Sequence, residues 1–143
     1  MRHLVLNASD AVCDWVYRQL DEKYTNLTNC TGVGIADHNK RLIAGVVYSH
    51  YDGEHDIMMT VAASTHRWLS RNILYALFAY PFLDLNCTRV TAVTAKKNKK
   101  ARKFLEGLGF KLEGRLRRKY GKTDGLIYGM LKQECKWIEH GKK

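Results

Sequence analysis

The chain has one proline, Pro81, and no low-complexity stretch among its 143 residues, so no segment reads as a linker. It has no internal repeat. No apolar run approaches the ~18 residues that a membrane-spanning helix needs. The opening Met-Arg-His-Leu-Val-Leu-Asn lacks the apolar core and small-residue cleavage site of a secretory signal. The four cysteines, Cys13, Cys30, Cys87 and Cys135, stand apart with no Cys-x-x-Cys pair. That spacing argues against a zinc site and a disulfide framework, so no metal is expected, and it fits a reducing cytoplasm. In that compartment the Asn-x-Ser/Thr triplets at Asn7, Asn26, Asn29 and Asn86 mean nothing.

Acid is the other shortage. Lys and Arg number 24 against 14 Asp and Glu, a formal net charge of +10. A basic balance favours anionic partners: nucleic acid, a phosphate-rich cofactor or an acidic peptide. No aromatic residues alternate with the lysines of 96–103, so a base-stacking platform has no support there. The length suits one domain with a real core, residues 1–143, and not two. Apolar content of 45% and charge of 27% are ordinary for a folded protein.

The chain is organised around residues 89–118. Arg89-Val-Thr-Ala-Val-Thr-Ala95 is β-branched and bounded by charge, which reads as a buried strand. Asn98 offers the side-chain oxygen that a helix start needs. Ala101, Phe104, Leu105 and Leu108 follow at helical spacing, and Gly107 and Gly109 stop the helix, Gly109 as the left-handed cap. Phe110, Leu112, Gly114 and Leu116 then alternate with charged residues, the pattern of a strand with one wet face. Lys96, Lys97, Lys99, Lys100, Arg102 and Lys103 crowd the positive end of the helix dipole, where each cation costs roughly 0.3–1 kcal/mol at low salt. Such a cluster is either a solvated face or a place where an anion binds.

Upstream, residues 3–6 suit a short strand. Ser9 suits an N-cap, and Val12, Trp15, Val16 and Leu20 form the stripe of a helix over residues 10–22. Residues 24–30 are polar and broken. Residues 32–36, 42–48 and 56–63 read as three antiparallel strands joined by turns at 37–41 and 51–55. Leu69, Ile73, Leu74, Leu77 and Phe78 mark a helix over 70–82 that Pro81 ends. The order is β-α-β-β-β-α-β-α-β-β, an α/β or α+β fold with a mixed sheet flanked by helices.

The spacing Asn98-x-x-Ala101-x-x-x-Leu105-x-x-x-Gly109-Phe110 resembles the second cofactor-side motif of the GNAT N-acetyltransferases. Glu113-Gly-Arg-Leu-Arg117 and Asp124-Gly-Leu-Ile-Tyr128-Gly-Met-Leu131 resemble the last two strands of the branch that acetylates ribosomal-protein N-termini, short members of which occur in bacteria and phages. The likeness covers residues 31–137. It implies a mainly antiparallel twisted sheet of six to seven strands, acetyl-CoA as cosubstrate, and direct acetyl transfer to an amine: a protein N-terminus, a lysine or a small molecule. It puts Arg67, Trp68, Leu69, Ser70, Arg71 and Asn72 where the family holds the pyrophosphate. There Arg67 matches, while Ser70 and Asn72 replace two glycines. It puts the backbone of Thr60, Val61 and Ala62 along the pantetheine arm, with Asn98, Ala101 and Phe104 opposite. The family's frequent tyrosine proton donor falls on Leu105. A base falls on Asp56 or its neighbour His55, and Tyr128 is a candidate donor.

Two other readings compete. In one the fold is kept, turnover is weak or lost, and the basic surface holds nucleic acid or an acidic partner. In the other the acceptor is itself a nucleobase or tRNA, with Arg115, Arg117, Arg118, Lys119 and Lys122 facing it. The oligomeric state stays open, a homodimer included.

Overall fold

The computed structural model describes residues 2–20, 30–65 and 67–138. Its elements are β1 (His3–Val5), α1 (Ser9–Gln19), β2 (Thr31–Ala36), β3 (Leu42–Ser49), β4 (Asp56–Ala63), α2 (Arg71–Ala79), β5 (Arg89–Ala95), α3 (Lys99–Leu108), β6 (Lys111–Leu116) and β7 (Gly125–Leu131). This is the order expected from the sequence. The strands form one seven-stranded sheet in the order β1-β2-β3-β4-β5-β7-β6. β4 and β5 are parallel, and every other neighbouring pair is antiparallel. No helix among the described residues is long and apolar enough to cross a membrane.

Each face of the sheet has its own core. α1 presses Val12, Cys13 and Val16 onto Val47 and Ala62. On the other face α2 and α3 bring Leu74, Leu77, Phe78, Leu105 and Leu108 against Val46, Ile57, Val90 and Tyr128. The local signals behave as their chemistry requires. Ser70 Oγ accepts from Ile73 N at 3.2 Å, and Asn98 Oδ1 accepts from Ala101 N at 3.1 Å, so both helix starts are side-chain capped. Gly109 takes the left-handed cap at φ 112°.

Three expectations are corrected. Gly107 lies inside α3, which runs on to Leu108, so Gly109 alone stops that helix. Ser9 is the first residue of α1 rather than its cap, and its hydroxyl accepts from Gly32 N at 2.8 Å, tying the helix to β2. α1 ends at Gln19, and the rest of the expected 10–22 helix and of the 24–30 segment lies largely outside the described residues. Pro81 also does more than end a helix. The regular helix stops at Ala79, and residues Tyr80–Asp84 continue as one wide π-turn. Proline has no N–H for the carbonyl four residues back, that of Leu77. The buried Tyr48 hydroxyl donates to that carbonyl instead, at 2.5 Å.

Two turns set up the site. Asp37 Oδ1 accepts from Asn39 N and Arg41 N in the β2–β3 hairpin. Asp52 Oδ1 accepts from Glu54 N, His55 N and Asp56 N at 2.9, 2.6 and 3.0 Å. These amides hold the Asp52 carboxyl below the ordinary carboxylate range, and they fix the entry to β4.

Candidate active site

The sheet is nearly divided in two. β4 and β5 share only three register pairs, Asp56 with Arg89, Ile57 with Val90 and Met58 with Thr91. Beyond them β4 runs on to Ala63 and β5 to Ala95 with no pairing between the two. The fork opens a cleft of about 580 Å³, lined by Thr60 and Val61 on one arm, residues 92–95 on the other, and Asn98, Ala101, Phe104 and Leu105 from α3. A second hollow of about 530 Å³ adjoins it, sharing Val61, Asn98, Ala101 and Phe104 and adding Ala62 and Trp68. Trp68 is buried and packs on Phe104, ring centroids 6.0 Å apart, so it walls the hollow rather than filling it.

Seven of the twelve expected cofactor residues therefore meet around this fork: Thr60, Val61, Ala62, Trp68, Asn98, Ala101 and Phe104. The other five lie at the start of α2. Arg67 and Ser70 line a neighbouring hollow with Arg2, Asp37 and Thr65. Leu69 is half-buried, and Arg71 and Asn72 are exposed. The two missing glycines leave no strain behind. Ser70 is extended at φ −143°, and Asn72 sits inside α2, so neither position needs a left-handed backbone. The Ser70 cap does occupy the Ile73 amide, one of the donors at this helix start. Arg2 was not legible as a site residue. Its guanidinium donates to the carbonyls of Arg67 at 2.6 Å and Leu69 at 3.4 Å, pinning the loop from 65 residues away.

Of the expected catalytic groups, Asp56 is nearest the fork. It lies two residues before the last ladder pair, roughly 7 Å along the strand. Thr91 Oγ1 donates to Asp56 Oδ1 at 2.8 Å, and Arg89 Nε lies 3.5 Å from the same oxygen. Arg89 also donates to Thr91 Oγ1 at 3.0 Å and pairs with Glu113 at 2.9 Å. The last contact reaches from β5 across β7 to β6. It passes over Gly129, where any Cβ would collide with both partners. His55 is exposed beside Glu54, its Nε2 at 3.2 Å from that carboxylate, and its carbonyl accepts from Thr88 N and Arg89 N. Tyr128 does not line the cleft. It is fully buried, donates to Glu106 Oε2 at 2.9 Å, and its phenol is pushed up by burial and by that carboxylate. Among the described residues, the tyrosine that does line the cleft is Tyr120, on the β6–β7 turn and 39% exposed. No family spacing points to it.

Two arms of a sheet splayed over a short parallel joint, with helix starts on either side, can be compared with known structures. Spermidine N-acetyltransferase from Vibrio cholerae, in complex with CoA and spermine, superposes with a TM-score of 0.75 at 16% identity, over 93% of this chain and 96% of that one. The N152L mutant of that enzyme gives 0.73 at 15% identity, over 92% and 94%. A chimera of it with hSSAT gives 0.70 at 17% identity, over 92% and 96%. The fold is the GNAT fold. No protein-family model and no curated protein matches the sequence. The likeness to the ribosomal-protein branch stays with the residues quoted for it above.

Proposed function

We propose that the protein is a single-domain N-acyltransferase that moves an acetyl group from acetyl-CoA to an amine. The observation that carries this reading is the fork. A ladder that stops after three pairs leaves strand edges unpaired, and such edges need a partner of their own. The pantetheine arm of CoA is an extended amide chain that pairs like a strand, and the cleft volume lies within the range of small-molecule sites. The V. cholerae enzyme, which shares the fold, is described in complex with CoA.

The thioester supplies an activated carbonyl, so this chain has little chemistry of its own to perform. The β4 edge beyond Met58 would orient the arm, with Asn98, Ala101 and Phe104 closing the other side. The amides of Arg71 and Asn72 and the side chains of Arg67 and Arg71 would face the phosphates. Asp56 would accept the proton of the attacking amine through water, held in aim by Thr91 and Arg89. His55 is the second candidate for that role. In the transfer a C–N bond forms and a C–S bond breaks, and the departing sulfur takes a proton. Tyr120 is the phenol at the cleft to supply it, in preference to the buried Tyr128. The acceptor is an amine on a protein N-terminus, a lysine or a small molecule.

Calorimetric titration with acetyl-CoA tests the reading. Saturable one-to-one binding in the micromolar range is expected, and no heat at millimolar cofactor would sink it. With an acceptor in hand, Asp56→Asn should lower kcat by about 10²–10⁴ and leave acetyl-CoA affinity intact.

The Ser70 cap gives the competing reading its one support, since it withdraws an amide from the phosphate site. A Kd above 1 mM that tightens in Ser70→Gly would favour a fold whose turnover has been lost.

A further inference from the structure

The chain's charge is not spread over it. Residues 96–122 hold twelve of the 24 Lys and Arg and two of the 14 Asp and Glu, so they carry the whole formal net charge of +10. The other residues balance to zero. Within this stretch Lys96, Lys97, Lys99, Lys100 and Lys103 are exposed at the start of α3. Arg115, Arg117, Arg118, Lys119 and Lys122 are exposed on β6 and the β6–β7 turn. The fold joins the two groups. Lys96 N donates to Asp124 O at 2.8 Å, and Lys97 and Tyr120 line the same cleft. Among the described residues, Lys111 and Arg115 are the cations of this stretch that pair with a carboxylate, on Glu134 and Asp124. Arg102 is half-buried and donates to the Lys96 carbonyl at 3.1 Å. Lys96, Lys97, Lys99, Lys100 and Lys103 face solvent beside a helix dipole of their own sign, an arrangement that opposes itself until an anion arrives.

One CoA brings about four negative charges, too few to balance this rim. An acidic protein is recognised through registered ion pairs and apolar anchors. A chain of repeating phosphates needs no register and suits a surface of one sign. The rim surrounds a concave mouth, which a flexible strand can enter and a bilayer surface cannot. Tyr120 at that mouth is 39% exposed, with Lys119 Nζ 5.8 Å from its ring centroid, so an unpaired base would meet a ring and a cation together. We propose that residues 96–122 form a docking surface for single-stranded RNA, whose phosphates run along the basic rim with one base at Tyr120. The surface stands whether or not the cleft transfers acyl groups.

Fluorescence anisotropy of a labelled, unstructured 20-nucleotide RNA tests it. Five phosphate contacts imply a log–log salt slope near −3.5, or about a hundredfold loss of affinity between 50 and 200 mM salt. The variant Lys99→Gln, Lys103→Gln, Arg117→Gln, Lys119→Gln should flatten that slope by about 2.8 units. Its melting temperature and acetyl-CoA titration should match the parent. A control, Lys40→Gln with Arg41→Gln on the β2–β3 turn outside residues 96–122, should bind RNA like the parent. The proposal falls if RNA does not bind at 50 mM salt, or if the control weakens binding as much as the rim variant. It also falls if a poly-glutamate peptide or phosphatidylserine vesicles bind more tightly than RNA.

Discussion

β1 to β4 with α1, and β5 to β7 with α3, are two plates of one sheet that obey different rules. In the first plate Asp and Glu outnumber Lys and Arg, and the fit is tight. A Cβ added at Gly32 would stand 2.7 Å from the Ser9 carbonyl oxygen and 3.1 Å from Cys13 N, because α1 lies almost on the strand. In the second plate the same addition at Gly107 would meet nothing within 4 Å, and the surface carries all of the net charge. The difference separates two kinds of residue. Where backbone touches backbone, the side chains serve stability. Where a helix is loosely set and unbalanced in charge, they are free to serve a ligand.

The contrast breaks if one substitution acts alike on both plates. Gly32→Ala should cost about 2–3 kcal/mol, since backbone and not a side-chain tip must move. Gly107→Ala, in an open helical position, should instead stabilise by about 0.5–1 kcal/mol. Urea denaturation of the two variants reads both signs. Next in size is Tyr48→Phe, which strands the Leu77 carbonyl that Pro81 leaves without a partner. A loss of about 1–3 kcal/mol is expected in the same measurement. The two helix caps sharpen the comparison further. Ser70→Ala and Asn98→Ala should each cost about 1 kcal/mol, but only Asn98→Ala should weaken acetyl-CoA in calorimetry, because only Asn98 lines the cleft.

The smallest effect concerns pH. Asp52 has a folded-state pKa held below its ordinary 3.8 by the amides of the turn into β4. A depressed carboxyl contributes stability above the unfolded value, and that contribution is lost as pH falls through the folded one. Hydrogen exchange at Glu54, His55 and Asp56 should therefore rise below about pH 4, and Asp52→Ala should abolish that step.

The order of elements was legible because each boundary carries local chemistry. Ser70 and Asn98 cap, Gly109 turns left-handed, and Asp52-Gly53 folds back. Ser9 misled because a serine suited to a cap found a better donor in Gly32, on a strand not yet placed. The fork was legible only through a family likeness, since nothing in residues 56–63 or 89–95 states how many pairs they share. Faces were harder still. Tyr128 and Tyr120 look alike in sequence, yet one is buried under α3 and the other lines the cleft. The Arg89–Glu113 bridge needed three strands and a glycine between them, and the Cys13 and Cys30 sulfurs, 3.4 Å apart, needed α1 laid beside β2.

A joint of three register pairs also bears on how the protein is kept whole. Its plates hinge on a seam only about 10 Å long. A molecule threaded into the fork would act as a splint, since it binds the assembled seam and not the open chain. At a hundredfold excess over its Kd it would add about 2.7 kcal/mol to the global unfolding free energy. Donor supply would then govern how long the protein survives as well as how fast it works.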